Sequence, residues 1–315
     1  MGHAGHAHSA EGKDAKGASS QRGPRLLIAL ALNLGITVAE VVGGLISGSL
    51  TLLADAAHNF SDAGSVLVSY IAWRISLRAV DRRRTFGYAR AETVGAVINL
   101  TTLLVIGLYL LYEAASRLIR PQEIAGKTML MVGVIALVED LAAAWVLRKE
   151  TGSLNVKSTY LHMIADALTT VGVILGALVI MFWGSGVYWV DPVITAAISV
   201  YIFVHGYHEI KRAIAILIDS APPDFDYDGL VAEIKQMPSV DDIHHLHVWQ
   251  RREGATALEA HIAVSEMDLE RVTSLKAQMK DRLRERFAVE HSTLEFELTS
   301  AIQHGRNLLA KDEGH

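Results

Sequence analysis

The chain has 315 residues, of which 51% are hydrophobic and 20% charged, with a formal net charge of −5. A mean hydropathy of +0.28 is too high for an ordinary soluble protein, while the charged fraction is too high for one wholly in lipid; a membrane part joined to a water-facing part is expected. The negative balance gives no support to a nucleic-acid partner, and the absence of Cys excludes disulfides, thiolate metal sites and cysteine nucleophiles.

Residues 1–23 read as a disordered cytosolic tail, polar and rich in Gly and His. His3, His6 and His8 are either a loose metal collector or incidental on a solvated tail. Six apolar segments follow, at about 25–46, 50–73, 90–112, 128–147, 159–182 and 188–208. Each is near the ~20 residues that a helix needs to cross a bilayer. Lipid offers the backbone no partners, so such segments are helical. They form an expected six-helix transmembrane bundle over 24–216. Basic residues set its orientation. Arg22 and Arg25 precede the first segment, Arg78, Arg82, Arg83 and Arg84 crowd the 2–3 loop, and Lys211 and Arg212 follow the sixth. The opposite side carries Arg117, Arg120 and Lys127 alone, which puts both termini in the cytosol.

The pattern changes near residue 217, and Pro222-Pro223 marks the break. Phe225–Met237 and Asp268–Phe287 read as amphipathic helices. His244–Trp249 and Ala257–Val264 alternate like strands around a turn at Glu253-Gly254, and Thr293–Leu298 is a third strand. The expected fold of 217–300 is α+β in the order αββαβ, metallochaperone-like, with a tail over 301–315.

Two matching phrases lie inside the apolar segments: His58 with Asp62 in the second, and His162 with Asp166 in the fifth. A four-residue spacing stacks each pair on one helix face. Ionisable residues are costly in lipid and mark function there by default. Two imidazoles and two carboxylates complete a four-ligand site for Zn²⁺ or a similar ion. Small residues around both phrases let the helices approach. His162 lies near the start of its apolar segment, so either helix five begins earlier, around Ser153 or Leu154, or it is tilted. Asp55, seven residues before Asp62, reads as a supporting partner, while Asn99, Glu113 and Asp191 are scattered and read as structural hydrogen-bonding or helix-end residues. The adjacent carboxylates Glu139 and Asp140 cannot share a face; proton relay, entry ligand and simple water exposure all stay open. In the last domain, His244 and His261 can converge across a hairpin.

The chain resembles the cation diffusion facilitator family of divalent-metal/proton antiporters. The resemblance rests on Leu53-Ala54-Asp55-Ala56-Ala57-His58 with Asp62, on Arg84-Thr85-Phe86-Gly87-Tyr88, on Leu154-Asn155-Val156-Lys157 and on His162 with Asp166. It continues through Asp191-Pro192, His244-His245-Leu246-His247-Val248-Trp249, His261, and His291 through Glu297. It implies Zn²⁺ as substrate, with Cd²⁺ and Co²⁺ tolerated, and protons as counter-ion. It implies transport ligands His58, Asp62, His162 and Asp166, and a cytosolic zinc site, regulatory or structural, from His244, His261 and Glu297 with His291 nearby. It further implies a homodimer in the cytoplasmic (inner) membrane and no enzymatic activity. Some relatives carry a metal site of Asp and two His in the 2–3 loop. Here Asp81 remains but Arg84 and Tyr88 stand in the histidine positions, so that site is not expected. The alternative is a membrane-anchored metal sensor or scaffold without transport.

Overall fold

A computed structural model of the chain describes residues 33–76, 78, 81–147, 154–265, 268–300 and 308. The two tails and the start of the first apolar segment lie outside the described residues. The chain divides into two compact units, one running to Ile71 and resuming over Ile98–Ile210, the other Ala72–Val97 with Lys211 onward.

Six helices dominate the first unit: α1 (described over Asn33–Ser47), α2 (Leu50–Ser76), α3 (Arg90–Ile119), α4 (Gly126–Leu147), α5 (Leu154–Trp183) and α6 (Val190–Leu217). α3, the Met163–Val187 stretch and α6 are each long and apolar enough to cross a membrane. α2 is diluted by Asp55, His58, Asn59, Ser61 and Asp62. The helices run past the apolar segments at several ends, because hydrogen bonding along a helix does not require apolar side chains. α6, for example, continues through Glu209, Lys211 and Arg212.

α2 lies between two apolar clusters. Leu50, Ala54 and Ala57 pack with Leu103 and Leu110 of α3 and Ile198 and Ile202 of α6. Leu52, on another face, packs with Met129 and Val132 of α4 and Val173 and Ala177 of α5. Large apolar residues such as Leu45, Val105, Val138, Leu175 and Phe182 point outward, the reverse of a water-soluble bundle. Close approach is built in where α1 meets α4: a Cβ on Gly43 would lie 2.6 Å from Val132 Cγ2. Asp191, at the start of α6, caps α2 instead of its own helix. Its carboxylate accepts from the backbone N–H groups of Leu50 at 2.9 Å and Thr51 at 3.2 Å, which satisfies donors that a helix start leaves open.

The second unit holds α7 (Tyr227–Lys235), β1 (Val240–Arg252), β2 (Ala255–Val264), α8 (Leu269–Phe287) and β3 (Val289–Leu298). Asp226 caps α7 by accepting from the Gly229 N–H at 2.8 Å. β1 and β2 pair antiparallel, and Gly254 supplies the left-handed turn residue at φ 72°. β3 returns through α8 to pair parallel with β2, giving the sheet order β1-β2-β3. One sheet face packs Leu246, Val248, Leu258 and Ile262 against Leu230 and Ile234 of α7 and Met279 and Leu283 of α8. Within this unit the loop before α3 lies on the sheet: the Arg251 guanidinium sits 4.9 Å from the Phe86 ring centre, and the His291 ring meets the same Phe86 at 5.8 Å.

Candidate metal centres

Among the described residues, each unit holds one group of three imidazole and carboxylate side chains whose ligand atoms lie within 4.8 Å of one another. In the first unit these are His58, Asp62 and Asp166; in the second they are His244, His261 and Glu297.

The first centre joins two helices. α2 presents His58 and Asp62 one turn apart, and α5 brings Asp166 across. His58 Nε2 lies 3.0 Å from Asp166 Oδ1 and 3.7 Å from Asp62 Oδ2. A tetrahedral ion with ligands at ~2.0–2.1 Å has edges of about 3.3 Å. The two separations bracket that edge, so an ion can replace the hydrogen between imidazole and carboxylate with little movement. His58 and Asp166 are buried, and Asp62 is partly open. His162 stands on α5 one turn before Asp166, and its side chain lies outside the described residues. α5 begins at Leu154, the earlier of the starts left open by the apolar pattern, so His162 is two turns inside the helix.

Neighbouring polar residues fix these helices. Asn99 of α3 donates Nδ2 to the Ser61 carbonyl at 2.8 Å. Asp55 faces the hydroxyls of Thr169 and Thr170, each at 3.3 Å, and Thr170 also reaches Asp140 Oδ2 at 2.9 Å. Glu40 of α1 accepts from Asn59 Nδ2 at 2.9 Å. The sequence marks Asp55 as a supporting partner and Thr169 and Thr170 as small residues that let the helices approach; their position three and four residues after Asp166, on a turn that must face α2, is the signal that makes them its donors.

The second centre follows from strand register. His244 stands directly opposite His261 across the hairpin, and the parallel pairing sets Glu295 level with His261 and Glu297 level with Ala263. His261 Nδ1 lies 2.6 Å from Glu297 Oε1, and His244 Nε2 lies 3.6 Å from Glu297 Oε2. Two imidazoles and a carboxylate are a zinc-like donor set. His291 is not brought to this cluster. It is level with Ala257, six residues before Glu297, or ~20 Å away along a strand that rises about 3.3 Å per residue. Glu295, which the sequence reading passed over, stands nearer, with Oε2 3.7 Å from His261 Nε2. It shares the period-two face of Glu297, so alternation alone marked it.

Asp81 is committed to its own loop. Its carboxylate accepts from the N–H groups of Arg83 at 2.7 Å and Arg84 at 2.8 Å, and from the Tyr88 hydroxyl at 3.0 Å. These donors, the Arg83 N–H first, hold it below the ordinary carboxylate range.

A family model described as the cation efflux transmembrane domain matches residues 26–218, and one described as the cation efflux protein cytoplasmic domain matches 222–298. The chain is 32% identical over 292 residues to a cadmium, cobalt and zinc/H(+)-K(+) antiporter of Bacillus velezensis, covering 91% of this chain and 92% of that one. It is 33% identical over 278 residues to the zinc transporter ZitB of Pectobacterium atrosepticum, covering 87% and 85%. A solved structure, the metal-bound C-terminal domain of the CzcD transporter from Cuprividus metallidurans, is 26% identical, covers 23% of this chain and 99% of that chain, and superposes with a TM-score of 0.22.

Proposed function

The chain belongs to the cation efflux, or cation diffusion facilitator, family, a family of membrane transporters and not of enzymes, and from that premise we propose that it exports zinc from the cytosol in exchange for protons. The observation that carries the reading is the pairing of His58 with Asp166 across α2 and α5, 3.0 Å apart in a buried position. The relatives' printed names point to zinc, cadmium and cobalt as cargo.

In this reading α1 to α6 each cross the bilayer over residues 24–216 in the cytoplasmic membrane, with both termini in the cytosol. His58, Asp62, His162 and Asp166 are the four transport ligands. The domain over 217–300 dimerises in the cytosol, and zinc on His244, His261 and Glu297 regulates the cycle. Metal and proton compete because a ligand must lose its proton to hold the ion. Proton binding to the ligands releases the ion, so the more acidic exterior unloads zinc and the less acidic cytosol reloads it. The helix pair then alternates its opening between the two sides. A sensor or scaffold role is not favoured: it needs no metal-competent pair in the membrane helices.

The test is zinc flux in proteoliposomes under an imposed pH gradient, comparing the parent with Asp62→Ala and Asp166→Ala. Both variants are expected to lose gradient-driven flux. Parent-like flux in both would overturn the assignment of the membrane site.

A further inference from the structure

One flank of α6 carries polar side chains that neither metal centre uses. A helix turns about 100° per residue, so Tyr201, His205 and His208 fall within about 60° of one another on α6, while Val200 and Phe203 point to another side. Tyr201, His205 and His208 are all exposed. The stripe begins at a transport ligand: the Tyr201 ring meets the His58 ring edge-on, with centres 6.3 Å apart. The His205 ring stacks on Tyr201 at 6.1 Å, the two planes only 7° apart. One phenol ring therefore stands between His205 and the His58 imidazole. From Tyr201 the stripe runs toward the end of α6 that carries Lys211 and Arg212, the cytosolic end in the proposed reading.

Both histidines are placed to meet a metal ion. Residues three apart on a helix are neighbours, with Cβ atoms about 5–6 Å apart, a spacing at which helical bundles pair metal ligands. His208 Nδ1 donates to the Val204 carbonyl at 2.7 Å. That bond fixes the tautomer and leaves the lone pair on Nε2, and a backbone carbonyl behind an imidazole is a common support of a metal ligand. α6 is long and apolar enough to cross a membrane. Ionisable side chains on such a helix are costly against hydrocarbon and face water or protein by default. Two imidazoles on one flank, next to an exposed Tyr201 that touches buried His58, fit the lining of a water-filled approach to that centre. The centre itself is not sealed, since Asp62 is partly open.

We propose that His205 and His208 form an entry site for a divalent ion of zinc type, which captures the ion from the cytosol and passes it along Tyr201 to the His58 centre. The proposal rests on the reading of the His58 centre as the transport site. Imidazole suits zinc-type ions, whereas calcium and magnesium take oxygen donors. With two protein ligands, water fills the remaining positions of the ion. Such a site holds the ion less tightly than a four-ligand site, which favours onward transfer. An entry site raises the local ion concentration beside the transport ligands. Its effect therefore falls on the zinc concentration that gives half the maximal rate, and not on the rate at saturation.

The test is the initial rate of zinc uptake into proteoliposomes that hold the full chain, with an acidic interior and zinc chloride added outside. His205→Ala combined with His208→Ala is expected to raise KM about tenfold and to leave the rate at saturating zinc within about twofold of the parent. His205→Cys, whose thiolate is also a zinc ligand, is expected to keep KM within about threefold of the parent, and His205→Gln is not. A parent-like KM in the double variant overturns the proposal, as does a loss confined to the saturated rate, or a His205→Gln chain that matches His205→Cys. The two single variants decide the matter if the double variant does not fold. Calorimetry separates the entry site from the transport reading. In a full chain carrying Asp166→Asn and Glu297→Ala, zinc chloride is expected to give a weak binding event in detergent that His205→Ala with His208→Ala removes. If the parent moves no zinc, export is refuted and this difference alone decides: its presence supports the entry site, and its absence overturns it.

Discussion

His58 Nε2 and Asp166 Oδ1 sit at a separation that suits either of two occupants, a hydrogen at 3.0 Å or a metal ion at the edge of its tetrahedron. Exchange at such a pair needs a change of charge more than a change of shape. Asp166→Asn keeps a hydrogen-bonding partner for the imidazole and removes the charge that holds the ion. Breaking a buried, paired charge costs about 3–5 kcal/mol, so zinc affinity measured by calorimetry is expected to fall by at least about 100-fold while the chain stays folded. The parent's affinity falls as the solution is acidified, because protonated imidazole holds no metal. A flat affinity profile from neutral to mildly acidic pH would show that no histidine is a ligand. At this scale much of the candidate site is legible in the sequence. His58 with Asp62 and His162 with Asp166 repeat one spacing in apolar surroundings, and chemistry alone singles them out. Glu295 and the pair Thr169 and Thr170 were less visible, because nothing in a residue type announces which neighbour it will face. His291 lies level with Ala257 and not with His261, a placement that residue type alone does not give.

Helices and strands are positioned by contacts that hydropathy does not record. The apolar segment begins near residue 159, yet α5 starts at Leu154, because hydrogen bonding along a helix does not require apolar side chains. The parallel pairing of β3 was illegible in alternation alone, since period two fixes a face and not a partner. It follows from α8, whose length carries the chain back so that β3 runs alongside β2. Two substitutions test elements directly. Asp191→Ala strips the cap from α2, the helix between both membrane clusters, and should lower the unfolding free energy by at least about 1–2 kcal/mol, read as a fall in the thermal midpoint of the full chain. An unchanged midpoint would mean that the Leu50 and Thr51 N–H groups find other acceptors. Ala288, which ends α8, has φ 52°. A non-glycine residue in that conformation costs roughly 1–2 kcal/mol. Ala288→Gly should therefore slow amide exchange in the last turn of α8, the cost of the added unfolded-chain entropy being smaller.

On the proposed reading, two zinc centres in two separate units give the molecule two separable responses to zinc. The change of character at Pro222-Pro223 announced a second unit, but not that Ala72–Val97 would group with it. That grouping depends on Phe86 meeting Arg251 and His291, contacts between residues distant in sequence that no local pattern encodes. An ion that binds the folded centre stabilises its unit by about 2.7 kcal/mol at a concentration 100 times its dissociation constant. Zinc should therefore protect the β1–β2 hairpin against amide exchange, and Glu297→Ala should abolish that protection, because Glu297 lies against both His244 and His261. The same variant leaves Asp62 and Asp166 untouched in the other unit, so zinc flux at saturating zinc should stay within about threefold of the parent, the change a regulatory coupling of under 1 kcal/mol produces. A loss of flux in Glu297→Ala as deep as that in Asp166→Ala would place the cytosolic centre on the transport route itself and remove the distinction between cargo and regulatory ion.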